Sequence, residues 1–208
     1  MIVELSHPLI KHKVNTARIQ DTSAEKLRKT LKELGFMLVY EALKDILLEE
    51  KEVRTWIGNK RFNYLNEEEI VFVPILRAGL SFLEGALQVV PNAKVGFLGI
   101  KRNEETLESH IYYSRLPELK GKIVVILDPM LATGGTLEVA LREILKHSPL
   151  KVKSVHAIAA PEGLKRIEEK FKEVEIFVGN VDERLNDKGY IIPGLGDIGD
   201  RLYAVSVY

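Results

Sequence analysis

Short apolar runs rich in β-branched residues alternate along this chain with stretches whose apolar positions recur at helical spacing. Ile70–Ile75, Lys94–Ile100, Lys122–Leu127, Val152–Ala159 and Val174–Val178 read as strands, several of them apolar enough to be buried on both faces. Leu80, Phe82, Leu83 and Leu87 predict a helix after the first run, and Leu137, Ala140, Leu141, Ile144 and Leu145 predict another after the third. Glu162–Lys172 continues the alternation as a helix. Ahead of this series Ser23 is placed to cap a helical region whose apolar face is Leu27, Leu31, Leu34 and Leu38, then Leu43, Ile46 and Leu47. Lys26 stands where a capping-box acid would sit, and with Gly35 as a candidate break the region reads as two helices or one long one.

The remaining segments carry weaker patterns. Residues 1–22 predict extended or looped chain, Val53–Tyr64 short irregular strands around a turn, and His110–Ser114 an exposed β arm or loop. Asn186–Gly189 is a turn, Tyr190–Arg201 a glycine-punctuated loop, and Leu202–Val207 alternates like a closing strand. Strand and helix alternating at this spacing predict an α/β fold: a parallel sheet flanked by helices on both faces. No linker or internal repeat divides the 208 residues, so one domain, 1–208, is expected.

Composition narrows the function classes. The chain is 46% hydrophobic and 29% charged, which is ordinary for a globular protein with a sizeable core. Thirty basic residues balance thirty acidic ones, so no electrostatic footprint for nucleic acid is visible. There are no cysteines, which excludes disulfides, thiolate metal sites and a cysteine nucleophile. No basic-then-apolar leader opens the sequence and no apolar stretch approaches a membrane span, so a cytoplasmic protein without membrane contact is expected. The five histidines show no metal-ligand spacing and read as structural or surface residues.

The chemistry concentrates where the strand ending at Leu127 meets Asp128-Pro129-Met130-Leu131-Ala132-Thr133-Gly134-Gly135-Thr136. Pro129 cannot donate to a sheet ladder, so the strand should stop there. A glycine-containing loop opening a helix presents free backbone N–H groups and the positive end of the helix dipole, which suits a phosphate monoester. Thr133 and Thr136 add hydroxyl donors. An ordinary βα connection with a threonine cap is the plainer alternative. Arg77 follows another strand end, where α/β folds bind ligands, and Arg102 follows the next. Gly194-Leu-Gly196-Asp-Ile-Gly199 formally matches the dinucleotide fingerprint, but a proline precedes it and no helical pattern follows, so that reading fails. Glycines there can instead let bare backbone approach a small planar ligand. No P-loop and no Gly-x-Ser-x-Gly elbow is present.

An apolar strand, an acid and Thr-Gly-Gly-Thr resemble the phosphoribosyl-pyrophosphate (PRPP) loop of type I phosphoribosyltransferases. Pro129 stands where that family has a second acid, and the resulting Asp128–Thr136 form is similar to the uracil phosphoribosyltransferase branch. The resemblance extends to His7–Lys13, Tyr40-Glu41-Ala42 and the C-terminal loop, and so to essentially the whole chain. It implies a core over about 66–180 and a small hood from segments near 1–22, 53–65 and 181–208. It implies transfer of phosphoribosyl from PRPP to uracil, giving UMP and pyrophosphate. Ala132–Thr136, beside Pro129, Met130 and Leu131, would hold the 5′-phosphate; Asp128 would accept from the ribose hydroxyls; Arg77 and Arg102 would engage pyrophosphate. Ile191, Gly196 and Ile198 would offer backbone groups to uracil, with Asp197 facing PRPP. Mg²⁺ held mainly by PRPP is the implied cofactor, with no direct protein ligands expected. GTP is a candidate allosteric activator, and a homo-oligomer, dimer or tetramer, is expected. A PRPP-sensing regulator on the same fold and a transferase for another base remain alternatives.

Overall fold

A computed structural model describes residues 1–102 and 109–203 of the chain. In chain order its elements begin with β1 (Ile2–Glu4), α1 (Pro8–Arg18), α2 (Ala24–Ala42), β2 (Glu49–Thr55), β3 (Gly58–Tyr64), β4 (Ile70–Leu76) and α3 (Gly79–Val89). They continue with β5 (Lys94–Val95), β6 (Phe97–Arg102), β7 (Ser109–Arg115), β8 (Ile123–Leu127), β9 (Met130–Leu131), α4 (Gly135–Leu145) and β10 (Lys151–Ala159). The last are α5 (Pro161–Lys170), β11 (Glu175–Val181), β12 (Arg184–Leu185), β13 (Ile191–Ile192) and α6 (Ile198–Tyr203).

A nine-stranded sheet runs in the order β1-β11-β10-β8-β4-β6-β7, with β5 beside β4 and β9 beside β10. Its pairs are parallel except β6–β7, which are antiparallel. Alternate residues of the central strands face opposite layers, as strand geometry requires. Ile70, Phe72, Val125 and Val155 pack with α1, α2 and α3; Val71, Val73, Val124 and Ile126 pack with α4 and α5. Covering both faces explains why these strands are nearly continuous apolar runs.

Four expectations need correction. Residues 8–18 are helical: Ile10, Val14 and Ala17 supply a narrow buried stripe, and His7 accepts the Leu9 N–H as its cap. Ser23 caps α2 as expected and one helix runs through Gly35, but it ends at Ala42, short of the expected Leu43, Ile46 and Leu47. Gly35 is a point of close approach: a Cβ there would lie 2.7 Å from the Phe82 backbone of α3. Residues 49–64 form a regular hairpin, β2–β3, rather than irregular strands. It shows no amphipathic alternation because nearly every residue is exposed, Trp56 at its tip almost wholly. Finally, Leu202 and Tyr203 belong to a helix, whereas the rest of the expected closing strand lies outside the described residues.

The geometry of the cleft follows from β4 and β8, which are neighbours in the sheet. The chain leaves β4 toward α3 on one face and leaves β8 toward α4 on the other. Their carboxyl ends therefore diverge and open a crevice, the usual ligand position in open α/β sheets.

Candidate active site

Strand β8 ends where Pro129 requires it, with the Asp128 N–H donating to the Val155 carbonyl at 3.3 Å. Pairing resumes two residues later. The Pro129 carbonyl accepts from Ala157 at 2.9 Å and Ile158 at 3.2 Å, and β9 then runs beside β10. This anchored Pro-Met-Leu segment delivers Ala132, Thr133 and Gly134 to the start of α4. Gly134 is the N-cap residue, with φ 78°, and the Thr133 hydroxyl oxygen accepts the N–H of Gly135 at 3.5 Å. A glycine, not a threonine, therefore occupies the cap position itself. A hollow of about 90 Å³ is bounded by Ala132, Thr133, Gly134 and Thr136 and reaches Asp128 and Met130.

Helix α5 supports the loop from outside. A Cβ at Gly163 would stand 2.1 Å from the Ala132 carbonyl oxygen, so the helix backbone touches the loop directly. Arg166 donates to Glu138 at 2.8 Å and to the Thr133 carbonyl at 3.4 Å. Glu138, in the first turn of α4, also accepts from Arg142 and Lys170. Burial would raise this carboxyl, but the three cations lower it to about 2.

The hollow opens into a cleft of about 620 Å³, with Asp128, Met130 and Thr136 common to both. Arg77, Lys101, Tyr112, Asp197 and Ile198 complete its walls. Burial pushes the Asp128 carboxyl up to about 7, against the smaller opposing effect of the Met130 N–H. Arg77 follows a cis Leu76–Arg77 peptide, and its guanidinium donates to Asp200 at 3.0 Å. Asp197 begins α6 by accepting the Asp200 N–H at 3.0 Å. Tyr203 at the helix end donates to the Arg77 carbonyl at 3.2 Å. The loop after β4 is thus tied to the C-terminal segment.

The structure therefore brings together Arg77, Asp128, Met130, Thr136, Asp197 and Ile198, with Leu131–Gly134 in the adjoining hollow. Pro129 is buried behind the loop, and Gly135 is the first residue of α4. Ile191 is buried in the core with Leu195 and Leu202, and Gly196 is exposed with φ 70°; neither lines the cleft. Arg102 closes β6, and its side chain lies outside the described residues, as do Asn103, Glu104 and Glu105.

Sequence reasoning missed Tyr112, Lys101, Asp200 and Tyr203. Tyr112 folds its ring over Gly99 of β6, where a Cβ would lie 2.6 Å from the ring. The paired signal, a glycine in one strand and tyrosines in the next, was present but depends on antiparallel register. Asp200 carries a legible signal, an acid three residues after the Asp197 cap, but it marks a helix only once the strand reading is abandoned.

Among the described residues no group of three or more histidine, aspartate or glutamate side chains converges to hold a metal. The cleft offers carboxylates singly, at Asp128 and Asp197. That donor set fits Mg²⁺, which keeps several waters and takes one or two carboxylates plus substrate phosphates.

The fold is that of the type I phosphoribosyltransferases. The crystal structure of a hypoxanthine-guanine phosphoribosyltransferase from Bacillus anthracis superposes with a TM-score of 0.51, covering 81% of this chain and 85% of that one; at 18% identity this likeness concerns the fold. Closer relatives exist in sequence. The profile of the uracil phosphoribosyltransferase family matches residues 3–205. A uracil phosphoribosyltransferase from Clostridium botulinum is 41% identical over 203 residues, 97% of each chain. One from Acinetobacter baylyi is 44% identical over 204 residues, 97% of this chain and 96% of that protein. The chain belongs to the uracil phosphoribosyltransferase family.

Proposed function

We propose that this enzyme transfers the phosphoribosyl group of PRPP to uracil, giving UMP and pyrophosphate, as a step of pyrimidine salvage. The observation that carries the reading is one continuous cleft joining a glycine-capped helix start, Asp128, Arg77 and the Asp197–Ile198 turn. In this reading the hollow at Ala132–Thr136 takes the 5′-phosphate through backbone N–H groups and the Thr133 and Thr136 hydroxyls. Asp128 accepts from the ribose hydroxyls, and Arg77 and Arg102 take pyrophosphate. Asp197 faces PRPP, and backbone groups of Ile191, Gly196 and Ile198 meet uracil, the first two only if the loop shifts toward the cleft.

The reaction breaks the bond between the ribose anomeric carbon and the pyrophosphate oxygen, so positive charge develops on the sugar while negative charge leaves. Catalysis then consists of positioning and charge stabilisation. Arg77 is half exposed and paired with Asp200, so its fork can exchange that carboxylate for phosphate oxygens. When bound, Mg²⁺ neutralises pyrophosphate charge. No strong general base is assigned.

The same proposal treats 1–208 as a single domain; the core expected over 66–180 widens to take in β1, which joins the central sheet, and α1 and α2, which cover one face of it, leaving 53–65 and 181–208 as the hood segments. It places the enzyme in the cytoplasm; among the described residues no helix is long and apolar enough to cross a membrane. Self-association as a dimer or tetramer is supported by Trp56, Ile57, Phe62 and Tyr64, exposed together on the β2–β3 hairpin. GTP activation rests on family resemblance.

Incubation with PRPP, Mg²⁺ and a panel of bases tests the assignment. UMP and pyrophosphate should form in equal amounts from uracil. Turnover of another base in preference to uracil, or PRPP binding without turnover, would select one of the alternatives instead.

A further inference from the structure

The end of α1 and the loop leading to α6 are fastened to each other from both sides. Arg18, the last residue of α1, donates to both carboxylate oxygens of Asp182, at 2.8 and 2.6 Å. One of the same nitrogens donates to the Gly194 carbonyl at 2.9 Å. Asp182 in turn accepts the Gly194 N–H at 2.9 Å and the Asn180 amide at 2.7 Å. The ion pair therefore holds both backbone polar groups of one residue. In the opposite direction Arg201 of α6 donates to the Ala17 carbonyl at 2.9 Å, to Leu195 at 2.6 Å and to Ile19 at 2.7 Å.

The arrangement is costly to build. The Asp182 side chain is fully buried and that of Arg18 is 19% exposed, so both charges are largely taken from water. Such a pair is weak evidence for stability, because an apolar pair could fill the space as well. What it supplies is directional: a planar fork fixes the orientation of whatever it holds. Burial alone would raise the Asp182 carboxyl, but Arg18, the Gly194 N–H and Asn180 hold it below its ordinary value. The held residue is also sterically exacting. Gly194 has φ 67°, and a Cβ there would lie 2.1 Å from the Ile191 carbonyl oxygen. Gly194 lies three residues before Asp197, so its position sets that of the Asp197–Gly199 stretch that lines the cleft.

We propose that Arg18 and Asp182 are positioning residues for base recognition, clasping Gly194 so that the Asp197–Ile198 backbone just after it meets the base at a fixed height. The proposal rests on the reading that this segment receives uracil. Neither residue lines the cleft, and neither touches the PRPP side. Their loss should therefore be felt by one substrate and not the other. A role in stability alone would lower the melting temperature and leave the substrate constants unchanged.

The test uses the full chain with Arg18→Lys, Asp182→Asn and the double variant. Steady-state kinetics would be measured with each substrate varied, with PRPP affinity by calorimetry. The KM for uracil should rise roughly tenfold or more in each single variant, the scale of one charge-assisted hydrogen bond. PRPP affinity should stay within about twofold, and the double variant should be no worse than the poorer single one, since the pair acts as a unit. Asn180→Ala, which removes one donor and no charge, should raise the same constant by a smaller factor and keeps the test alive if Asp182→Asn does not fold. Folded variants with unchanged uracil KM, or with parallel losses for uracil and PRPP, would overturn the clasp. An unmutated protein inert toward uracil would overturn the base assignment beneath it, a result visible before any variant is made.

Discussion

The Nδ1 atom of His156 lies 2.7 Å from the main-chain carbonyl of Asp128, so a fully buried imidazole is bonded to the residue that ends β8 at the cleft. Burial drives the two side chains in opposite senses. His156 falls from 6.5 to about 4, while Asp128 rises from 3.8 to about 7. Native His156 thus lacks a proton that the unfolded chain binds between about pH 4 and 6.5, and its stabilisation is lost as pH falls through that window. Native Asp128 holds a proton that the unfolded chain has released between 3.8 and about 7, and it destabilises increasingly as pH rises. Over the shared range the two slopes cancel. Asp128→Asn should therefore gain stability over the unmutated protein as pH rises from 4 to 7, by about 4 kcal/mol at pH 8, while activity falls. Denaturant unfolding across this range checks it. A variant-minus-parent difference that stays flat with pH would contradict the raised Asp128 carboxyl.

Gly134 and Gly163 make a second prediction. Gly134 has positive φ and would bring a Cβ within 3.1 Å of the Gly163 carbonyl; Gly163 would bring its own to 2.1 Å from Ala132. Gly134→Val combines backbone strain with a clash against Gly163 and Arg166 of α5, which should displace the loop and abolish PRPP binding. Gly163→Ala should displace α5 from the loop, costing about 1–3 kcal/mol of stability and weakening PRPP. Calorimetry on folded variants measures both; unchanged PRPP affinity would remove this loop from the site.

At Arg77 binding and chemistry separate. Arg77→Lys keeps the charge but loses the fork, so kcat should drop at least tenfold with a smaller change in KM. Asp200→Asn should lower the KM for PRPP if the Arg77–Asp200 pair, 3.0 Å in this structure, competes with pyrophosphate for the guanidinium. Initial-rate kinetics with PRPP varied decide both points. An unchanged kcat in the lysine variant would leave Arg77 as a surface charge.

Base preference probes the C-terminal loop. A backbone N–H and C=O that satisfy uracil O4 and N3–H would meet cytosine donor to donor and acceptor to acceptor. Leaving buried groups unpaired costs about 1–3 kcal/mol each, so uracil should be preferred by roughly 10⁴ in kcat/KM. Ile198→Val should preserve that ratio, because backbone recognition does not depend on the side chain. Gly196→Ala, at φ 70°, should depress uracil use through strain of about 1–3 kcal/mol. Comparable kcat/KM for cytosine and uracil in the unmutated protein would refute both the recognition scheme and the assignment.

Wherever the information is local, the sequence by itself determined the outcome. The runs now seen as β4, β8, β10 and β11 are apolar because both sheet faces are covered, and Pro129 ends its strand because it lacks an N–H. The glycine loop after β8 is equally legible, since a glycine that must take positive φ is written into the chain at Gly134. The stripe of α1, Ile10, Val14 and Ala17, was also present but narrow, and Pro8 was easily taken for loop. The β2–β3 hairpin was legible only as short irregular strands around a turn from Val53 to Tyr64, because a ribbon exposed on both sides has no alternating pattern to fix its length and register. Leu202 and Tyr203 look like strand and are helical because Asp197 caps the turn and Arg201 bonds the end of α1, contacts made only after folding. Tertiary structure alone decided the couplings that shape the site: Tyr112 over Gly99, Arg77 with Asp200, His156 behind Asp128, and Arg18 with Asp182. Each joins residues whose types are unremarkable in sequence. Their charges and hydrogen bonds acquire direction only when burial removes water and sheet order sets the distance.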